Sequence, residues 1–371
     1  MGIDELKKVI ETAGIVGAGG GGFPTHLKID ARAKTILLNC AECEPLLKVH
    51  QQMLAGFSHE ILSALNTLSE VLDADVIVAV KKTFKMTIAS VYSQLESAKY
   101  PRIRLELLDT TYPAGDEIVL IYETMGIVIP PGSLPIESGC LVLNVETVYN
   151  IYNALTHGKA VSHKWLTITG EVANPITTCV PIGMTIAEAV KNAGGVTVKD
   201  PAFWVGGPMM GNVVTAFDKV AKTTNAIIVL PQDHALVRSA DDSNRVQLNR
   251  VASACCQCRT CTDMCPRAQL GYPIQPHRIM RALAARDTSA QDFSGAMYCS
   301  TCGLCEVIAC PQSLAPRKMI RKFKSALAKG GVIPQKRDPA LIPPTRNGKM
   351  VDATRLKIRL GLSKYDGGAC I

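Results

Sequence analysis

Hydrophobic positions in the first part of the chain alternate between helical spacing and short β-rich runs. Helical spacing recurs over Asp4–Thr12, Leu46–Leu72, Phe84–Ala98, Gly115–Met125 and a last segment that ends near Leu155. The β-rich runs lie between these segments, at Thr35–Asn39, Asp75–Val80, Ile103–Leu108 and Cys140–Leu143. Because helices that alternate with strands form crossover units, we expect an α/β domain with a mainly parallel sheet over residues 1–157. Ligands of such sheets bind at the carboxyl ends of the strands.

The pattern changes twice beyond this domain. Residues 158–240 contain short strands and one short helix, Thr185–Asn192, which predicts a small α+β domain. Residues 245–330 are rich in cysteine and are interrupted by a helical stretch from His277 to Arg286. Residues 331–371 carry Pro and Gly and end in a basic amphipathic stretch, so we expect a basic C-terminal tail.

Composition supports a globular protein in a reducing compartment. The chain has 371 residues, of which 47% are hydrophobic and 19% charged, and this length suits two or three domains. The first residues lack the apolar core of a secretory signal, and no apolar run is long enough to span a membrane. We therefore expect a cytoplasmic protein whose thiols stay reduced.

The net charge of +8 arises near the C-terminus. Between Arg317 and Lys364, fourteen Lys and Arg residues stand against two acids, Asp338 and Asp352. The simplest interpretation is a solvated helix and tail, and a docking surface for an acidic partner is the alternative. Aromatic residues are not interleaved with this charge, so we expect no nucleic-acid partner.

Nine of the fourteen cysteines lie between positions 255 and 310 and form two sets. Each set has three closely spaced cysteines and a fourth that precedes a proline, which is the spacing of bacterial ferredoxin-type 4Fe-4S sites. The last gap of the second set has four residues instead of three. In two-cluster ferredoxins the fourth cysteine ligates the other cluster. We therefore predict one cluster on Cys255, Cys258, Cys261 and Cys310, and a second on Cys299, Cys302, Cys305 and Cys265.

Zinc is the alternative metal for these cysteines. Two Cys₄ zinc sites are usually built from paired C-x2-C knuckles, which two triplets with trailing Cys-Pro pairs fit poorly. Cys256 is out of register with its set and is interpreted as a bystander. The cysteines to which we assign no metal are Cys40, Cys43, Cys140, Cys179, Cys256 and Cys370.

A glycine-rich loop, GAGGGGFPTHLK, spans Gly17 to Lys28. It follows a helical segment, so it is not a Rossmann G-x-G-x-x-G fingerprint, and no Lys-Ser/Thr pair makes it a P-loop. Five glycines in six positions let the backbone approach a ligand, and their N–H groups can form a nest for an anion. Lys28 can add positive charge near a phosphate. A flexible connector is the alternative.

Three further motifs follow predicted strands or begin helices. NCAECEP places Asn39, Glu42 and Glu44 at the end of a strand, where carboxylates can accept hydrogen bonds from sugar hydroxyls. YPAGDE places Gly115, Asp116 and Glu117 at a helix start, where the two acids can also simply complement the helix dipole. LNVET places Asn144 at another strand-to-helix turn. Because parallel strands end at the same edge, we expect these motifs and the glycine loop to converge.

In this order the four motifs resemble the flavoprotein subunit of respiratory complex I, and still more the family of the Rnf-complex C subunit. The most continuous resemblance is to the PduS-type cobalamin reductases of propanediol-utilisation microcompartments, through AGIVGAGGGGFPTHLK, AECEPLLKVHQQ, GGPMMG, CRTCTDMCPR and CSTCGLCEVIACP. This resemblance implies three domains. They are a Rossmann-like FMN/NADH domain over 1–157, a soluble-ligand-binding β-grasp (SLBB) domain over 158–240 and a ferredoxin-like two-cluster domain over 245–330.

The resemblance also implies the cofactor contacts. The positions that match FMN contacts are Gly17, Gly19, Gly20, Lys28, Asn39, Glu42, Gly115, Asp116 and Asn144. Phe23 and Glu44 match positions that contact NADH, and Asp116 and Glu117 suit either ligand; core packing is the alternative for Phe23. Ala18 stands where the flavoprotein of complex I has an arginine, so one phosphate or NADH contact is expected to be absent.

The activity implied is that of an NADH-dependent cobalamin reductase. NADH would give a hydride to FMN, and the two 4Fe-4S clusters would carry single electrons to a corrinoid, so that coenzyme B12 is regenerated. The expected partners are the corrinoid or a corrinoid-handling adenosyltransferase, and microcompartment shell proteins. The alternatives are an Rnf-type electron-transport protein that exchanges electrons with ferredoxin or a membrane partner, and a non-catalytic electron carrier or scaffold that has lost its flavin.

Overall fold

A parallel sheet of four strands lies at the centre of residues 1–157. The structure, a computed structural model, describes residues 1–98, 100–241, 244–285, 291–338, 340–342, 346 and 350–366. The four strands are β1 (Thr35–Cys40), β2 (Asp75–Lys81), β3 (Ile103–Leu108) and β5 (Cys140–Asn144). They pair in parallel in the order β3-β2-β1-β5, and the two-residue strand β4, Thr111–Tyr112, lies outside this sheet. The predicted α/β fold and its four strands are confirmed.

Helices precede, connect and follow these strands and cover the sheet. They are α1 (Ile3–Thr12), α2 (Thr25–Lys28), α3 (Val49–Gly56), α4 (Ser58–Leu72), α5 (Lys85–Ala98), α6 (Glu117–Met125) and α7 (Val145–His157). Successive strand residues point to opposite faces, so Ile36 and Leu38 join one hydrophobic core and Leu37 joins another. Both faces are therefore buried, as is usual for a parallel sheet.

The predicted single helix over Leu46–Leu72 is wrong, because the chain breaks it at Phe57. Helix α3 ends at Gly56, and Phe57 has φ −124° and ψ 36°, which interrupts the helical path before α4 begins. The Phe57 ring lies 4.7 Å from the ring of Tyr149 and 5.5 Å from that of Trp165, measured between centroids. Aromatic packing between two structural units therefore fixes the break, and helical spacing alone does not reveal it.

A mixed five-stranded sheet follows. Its strands are β6 (His163–Gly170), β7 (Ile176–Pro181), β8 (Pro201–Val205), β9 (Asn212–Val214) and β10 (Ala226–Pro231). In the order β7-β6-β10-β8-β9, the central β10 runs parallel to β6 and antiparallel to β8. Helix α8, Ile186–Lys191, packs on this sheet, so the predicted α+β character is confirmed. A buried ion pair between Lys164 of β6 and Glu146 of α7 ties the sheet to the first unit.

The cysteine-rich part is built from short helices. They are α9 (Ala235–Asp241), α10 (Asn244–Ala254), α11 (Thr260–Asp263), α12 (Pro276–Ala285), α13 (Leu304–Val307) and α14 (Pro316–Lys329). Ile279 and Ile320 from this part share a core with Leu37 and Ile77 of the parallel sheet. The cysteine-rich part therefore covers the second face of that sheet directly. The predicted end of helix α12, Arg286, and the C-terminal Cys370 lie outside the described residues.

The basic C-terminal segment is a solvated tail only in part, because residues 331–338 are exposed whereas residues 351–362 pack on the rest of the protein. The simplest interpretation of its charge is corrected for that packed stretch. Strand β11, Val351–Asp352, pairs with β4, and helix α15, Ala353–Arg359, follows it. Leu356 and Leu362 are fully buried, because apolar residues recur among the basic ones and pack on the units before them. The predicted domain boundaries remain predictions. None of the described helices is long and apolar enough to cross a membrane.

Candidate cofactor cleft and cysteine cavities

A cleft opens at the carboxyl edge of the parallel sheet. The glycine loop, the five-stranded sheet and the cysteine-rich part all contribute to its walls. Eight of the twelve predicted cofactor residues line it: Gly19, Gly20, Asn39, Glu42, Glu44, Gly115, Asp116 and Asn144. The structure thus brings together motifs that lie far apart in the sequence, at the edge where parallel sheets bind ligands.

The other four predicted residues lie outside the lining of this cleft. Lys28 Nζ donates to Glu117 Oε1 at 2.8 Å and to the Val142 carbonyl at 3.1 Å, so these two predicted residues neutralise each other. The side chain of Phe23 is 50% exposed, which makes the core-packing alternative for it wrong. Gly17 closes the loop, since its N–H donates to the Phe23 carbonyl at 2.8 Å. Their cofactor roles remain predictions.

The glycine loop is anchored to the first turn of α7. The Ala18 N–H donates to Thr147 Oγ1 at 3.0 Å. A Cβ atom at Gly19 would lie 2.4 Å from Asn144 Nδ2, so the Asn144 side chain would have to move. Gly20 has φ +109°, a backbone conformation that a larger residue adopts only with strain. The loop is therefore a fixed turn that presents backbone to the cleft, unlike a flexible connector.

Asn39 joins two of the predicted motifs. Its Nδ2 donates to the Gly115 carbonyl at 2.9 Å, and its Oδ1 accepts from the Ala41 N–H at 3.1 Å. A Cβ atom at Gly115 would lie 3.3 Å from Cys43 Sγ, so glycine suits the close approach of these segments. Asn39 therefore holds the acidic motif and the YPAGDE turn in one place.

Two glutamates with raised pKa values face the cleft. Glu42 accepts from the backbone N–H groups of His50, at 3.2 Å, and Gln51, at 3.4 Å, at the start of α3. Glu44 Oε2 accepts from the Met209 N–H at 2.8 Å, and a Cβ atom at Gly207 would lie only 2.2 Å from Glu44 Cδ. Burial raises the pKa of each carboxyl to about 7.

Three buried polar atoms of cleft residues have no hydrogen-bond partner within the described ranges: Glu44 Oε1, His50 Nε2 and Asn225 Oδ1. Burial lowers the pKa of His50 to about 3, so its imidazole is neutral. An unsatisfied buried polar atom costs about 1–3 kcal/mol, and folded proteins rarely keep one without a reason. A ligand rich in hydroxyl, carbonyl and amide groups supplies that reason. The cleft therefore fits a flavin or nicotinamide nucleotide.

A phosphate in this cleft would depend on backbone donors. In the described part of the chain no Lys or Arg lines it, whereas Glu42, Glu44 and Asp116 do. The N–H groups of the glycine loop supply a concave site for an anion. Since the pKa values of Glu42 and Glu44 are near 7, partial protonation weakens their repulsion of a phosphate at neutral pH.

The cysteines gather in two cavities that match the sets predicted from their spacing. Cys255, Cys258, Cys261 and Cys310 line one cavity, with Cys256 also on its wall. Cys265, Cys299, Cys302 and Cys305 line the other. Among the described residues, no group of three His, Cys, Asp or Glu side chains is arranged so that it could hold a single metal ion. Four thiols around an open cavity fit a cuboidal cluster better than a single zinc ion.

The two cysteine loops share an unusual backbone. Gln257 and Arg259, on either side of Cys258, have φ of 54° and 64°. Thr301 and Gly303, on either side of Cys302, have φ of 60° and 86°. Left-handed non-glycine residues cost about 1 kcal/mol or more and cluster at functional sites. Each loop therefore turns around its central cysteine in the same way, as an internal structural repeat.

The cleft and the second cysteine cavity share a wall. Ser300 and Cys302 line both of them. Tyr112 also lines the cleft, and its Oη donates to the Cys302 carbonyl at 2.6 Å. Arg267, two residues after Cys265, donates from Nη2 to Asp116 Oδ2 at 2.9 Å. Two contacts therefore seat the second cysteine cavity against the carboxyl edge of the sheet.

Asp116 has a structural role that one of the alternatives anticipates. Its Oδ1 accepts from the N–H groups of Ile118, at 3.1 Å, and Val119, at 3.2 Å, and so caps α6. This confirms the helix-start interpretation of Asp116. Contact with a cofactor remains a prediction for it.

Sequence reasoning did not place several residues of the cleft. Tyr112, His50, Thr223 and Asn225 line it, as do Gly206, Gly207 and Met210 of the GGPMMG motif. The density of glycine in GGPMMG is a signal that could have found the last group, because glycine allows close backbone approach. No comparable signal marks Asn225.

Replacing Glu44 with glutamine should make the cofactor-free protein more stable at alkaline pH. Below the ordinary glutamate pKa of 4.5, Glu44 is protonated in both the folded and the unfolded state and costs nothing. As pH rises to about 7, the unfolded chain loses this proton first, so wild-type stability falls relative to the variant. The difference in the free energy of unfolding should grow by about 3 kcal/mol between pH 4.5 and about pH 8.

Urea unfolding of both proteins across this pH range measures the difference. Glu96 is exposed, and Glu96→Gln is the matched control, for which the difference should stay flat. A flat difference for Glu44→Gln as well would show that the Glu44 carboxylate is well solvated and not held against Gly207.

Three family models match the chain in the order of its structural units. The Nuo51 FMN-binding domain matches residues 10–153, the SLBB domain residues 166–213 and the 4Fe-4S dicluster domain residues 254–315. The FMN and iron–sulfur cofactors and the three-domain fold class are thereby confirmed. Which side chains touch the cofactors remains a prediction.

Two curated relatives match almost the whole chain, and a third matches 69% of it. The cobalamin reductase PduS of Citrobacter freundii is 38% identical over 365 residues, which are 97% of this chain and 79% of that protein. The same protein of Salmonella typhimurium is 37% identical over 367 residues, which are 98% of this chain and 80% of that protein. The C subunit of the ion-translocating oxidoreductase complex of Edwardsiella ictaluri is 31% identical over 264 residues, 69% of this chain and 31% of that one.

Solved structures show the same fold at low sequence identity. A chain of an NAD+-reducing [NiFe]-hydrogenase in the H2-reduced state superposes with a TM-score of 0.57 at 18% identity, covering 87% of this chain and 61% of that chain. A chain of the same hydrogenase in the air-oxidized state superposes with a TM-score of 0.57 at 18% identity, covering 98% of this chain and 66% of that chain. The likeness to these hydrogenase chains concerns the fold alone.

Proposed function

We propose, since this chain belongs to the family of the PduS cobalamin reductases, that it takes electrons from NADH in the carboxyl-edge cleft and delivers them to a corrinoid. FMN bound there supplies the conversion of a two-electron donor into single electrons, and two 4Fe-4S clusters conduct them. The protein's own residues bind and orient these groups. The alternative of a carrier without flavin has no support from the FMN-binding family match.

The observation that carries this proposal is the wall shared by the cleft and the second cysteine cavity. Cys302 belongs to both, so a flavin in the cleft would lie beside the cluster held by Cys265, Cys299, Cys302 and Cys305. Three of these four cysteines are buried, whereas Cys258 of the other cavity is exposed. We therefore infer the order of electron transfer: cleft, buried cluster, then the cluster near the surface.

The residues of the cleft have separate tasks in this proposal. The glycine loop holds the phosphate of FMN through its N–H groups, and Asn144 packs against Gly19 to fix the shape of that loop. Glu44, with one unpaired oxygen, accepts a hydrogen bond from NADH. His50, neutral and unpaired at Nε2, offers a further contact without adding charge. We further propose that the corrinoid acceptor is either free or bound to an adenosyltransferase, and that the protein acts inside a microcompartment.

An anaerobic comparison of electron acceptors tests the function. Protein reconstituted with FMN, iron and sulfide should oxidise NADH with hydroxocobalamin as acceptor, and the visible spectrum should show cobalamin reduction in step with NADH loss. Ferredoxin and a soluble quinone are the parallel arms. A Cys179→Ser variant, changed at an exposed thiol outside both cavities, should behave as wild type. Faster turnover with ferredoxin would favour the Rnf-type alternative, and protein that releases no FMN on denaturation would refute the role of the cleft.

A further inference from the structure

The loop before β10 packs on the glycine loop and the turn before it. This clamp loop, Val220–Asn225, belongs to the five-stranded unit. Lys222 Nζ donates to the Gly14 carbonyl at 2.5 Å, and Thr223 Cγ2 lies 3.0 Å from where a Cβ atom at Gly22 would be. The glycine loop is therefore held between two structural units.

Asn225, the last residue of the clamp loop, faces the cleft above these glycines. Its Nδ2 lies 3.7 Å from where a Cβ atom at Gly20 would be. Asn144 approaches the neighbouring Gly19 even more closely, at 2.4 Å from where its Cβ atom would be. Two carboxamides from two units thus flank the part of the loop that lines the cleft.

The side chain of Asn225 serves no visible purpose in the fold. Its backbone carbonyl accepts from the Thr167 N–H at 3.0 Å, which places the residue in the sheet without help from the side chain. Its Oδ1 is buried and has no hydrogen-bond partner in the described part of the chain. Asn212, which also borders the cleft, shows the contrast, because its Oδ1 accepts from both terminal nitrogens of Arg321 at 3.1 Å.

We propose that Asn225 is a ligand-binding residue supplied by the five-stranded unit, and that its Oδ1 accepts a hydrogen bond from a hydroxyl of the flavin nucleotide. This rests on the proposed function. The argument for a hydroxyl is chemical, since a carboxamide oxygen needs a donor and the backbone donors of the glycine loop favour a phosphate. Sugar-alcohol hydroxyls adjoin the phosphate of FMN, so one ligand satisfies both. The cofactor cleft is then complete only when the two units are docked.

Titration of the cofactor-free full-length protein with FMN, followed by quenching of flavin fluorescence, tests this. Asn225→Ala should raise the Kd for FMN about tenfold, the usual effect of one lost hydrogen bond in a buried site. Asn225→Ser, which is smaller and too short to reach the ligand, should do the same. Asn192→Ala is the matched control in the same unit, because Asn192 Nδ2 bonds to the Ala189 carbonyl away from the cleft. The thermal midpoint is recorded for each variant.

The outcomes separate the inference from the function on which it rests. If wild type binds FMN and both Asn225 variants bind it equally well, the role of Asn225 is refuted and the proposed function stands. If FMN binding is unchanged but the KM for NADH rises severalfold, the oxygen serves NADH and the flavin assignment is overturned. If wild type binds no FMN, the proposed function itself fails. Weak FMN binding by both variants with a wild-type thermal midpoint supports the inference.

Discussion

Replacing Cys310 with serine should remove the cluster of Cys255, Cys258 and Cys261 and leave the other one intact. Cys310 lies about fifty residues beyond that triplet, yet it lines the same cavity. Its Sγ also accepts from the Leu314 N–H at 3.4 Å, a contact that stabilises a thiolate ligand. The iron content should fall from about eight to about four per chain.

Anaerobic EPR spectroscopy and iron analysis measure this result. Cys265→Ser is the reciprocal variant and should remove the cluster of Cys299, Cys302 and Cys305. Cys256→Ser is the control, because this exposed cysteine lies within the same loop but out of register. If Cys310→Ser instead removes the signal of the Cys299 triplet, each four-cysteine set is self-contained and the exchange of the fourth ligand is wrong.

The same variant also tests the order of electron transfer. NADH should still reduce the remaining cluster of Cys310→Ser, since that cluster adjoins the cleft, whereas corrinoid reduction should be lost. In Cys265→Ser, NADH should reduce both the remaining cluster and the corrinoid much more slowly than in the wild-type protein. Equal reduction of the single cluster in both variants would contradict a linear path.

The parts of the fold that the sequence predicts are those with local causes. Cysteine spacing fixes which thiols share a loop, and alternation of helix and strand patterns fixes the parallel sheet and hence the edge where ligands bind. Glu42, Glu44 and Asn144 reach the cleft for this reason, because the two glutamates follow β1 and Asn144 is the last residue of β5.

Contacts between distant units have no local signal. Tyr112 meets Cys302 across 190 positions, and Arg267 meets Asp116 across 151. The burial of Leu356 likewise depends on how the end of the C-terminal segment docks, so charge alone did not reveal that this stretch is packed. A sequence pattern tells which face of an element is apolar, but docking decides which surface covers it.

Replacing Arg267 with methionine should destabilise the protein by about 3 kcal/mol, the usual cost of leaving one member of a buried ion pair alone. The side chains of Arg267 and Asp116 are 15% and 11% exposed, and the guanidinium lies 5.3 Å from the centre of the Tyr272 ring. Methionine keeps much of the packing while it removes the charge. Chemical unfolding of the reconstituted protein measures the loss.

The matched control is an exposed ion pair of the same type. Arg102 and Asp73 are 46% and 79% exposed, so Arg102→Met should cost less than about 1 kcal/mol. In a double-mutant cycle, Arg267→Met with Asp116→Asn should cost clearly less than the two single changes together, because the second change removes the stranded charge. Additive effects would show that the two side chains stabilise the fold independently.

The ion pair of Arg267 and Asp116 matters for electron transfer because it connects the first two stations of the path, the cleft and the buried cluster. Asp116 caps the helix at the sheet edge, and Arg267 follows the cysteine that completes the buried cavity. In Arg267→Met, FMN should stay bound, since Arg267 does not line the cleft, while NADH should reduce the clusters more slowly. Wild-type reduction rates in stopped-flow measurements, together with a wild-type unfolding curve, would show that the cavity is seated by its other contact, between Tyr112 and Cys302. The corresponding Tyr112→Phe variant, which deletes only the hydroxyl, then identifies which contact holds the buried cluster against the cleft.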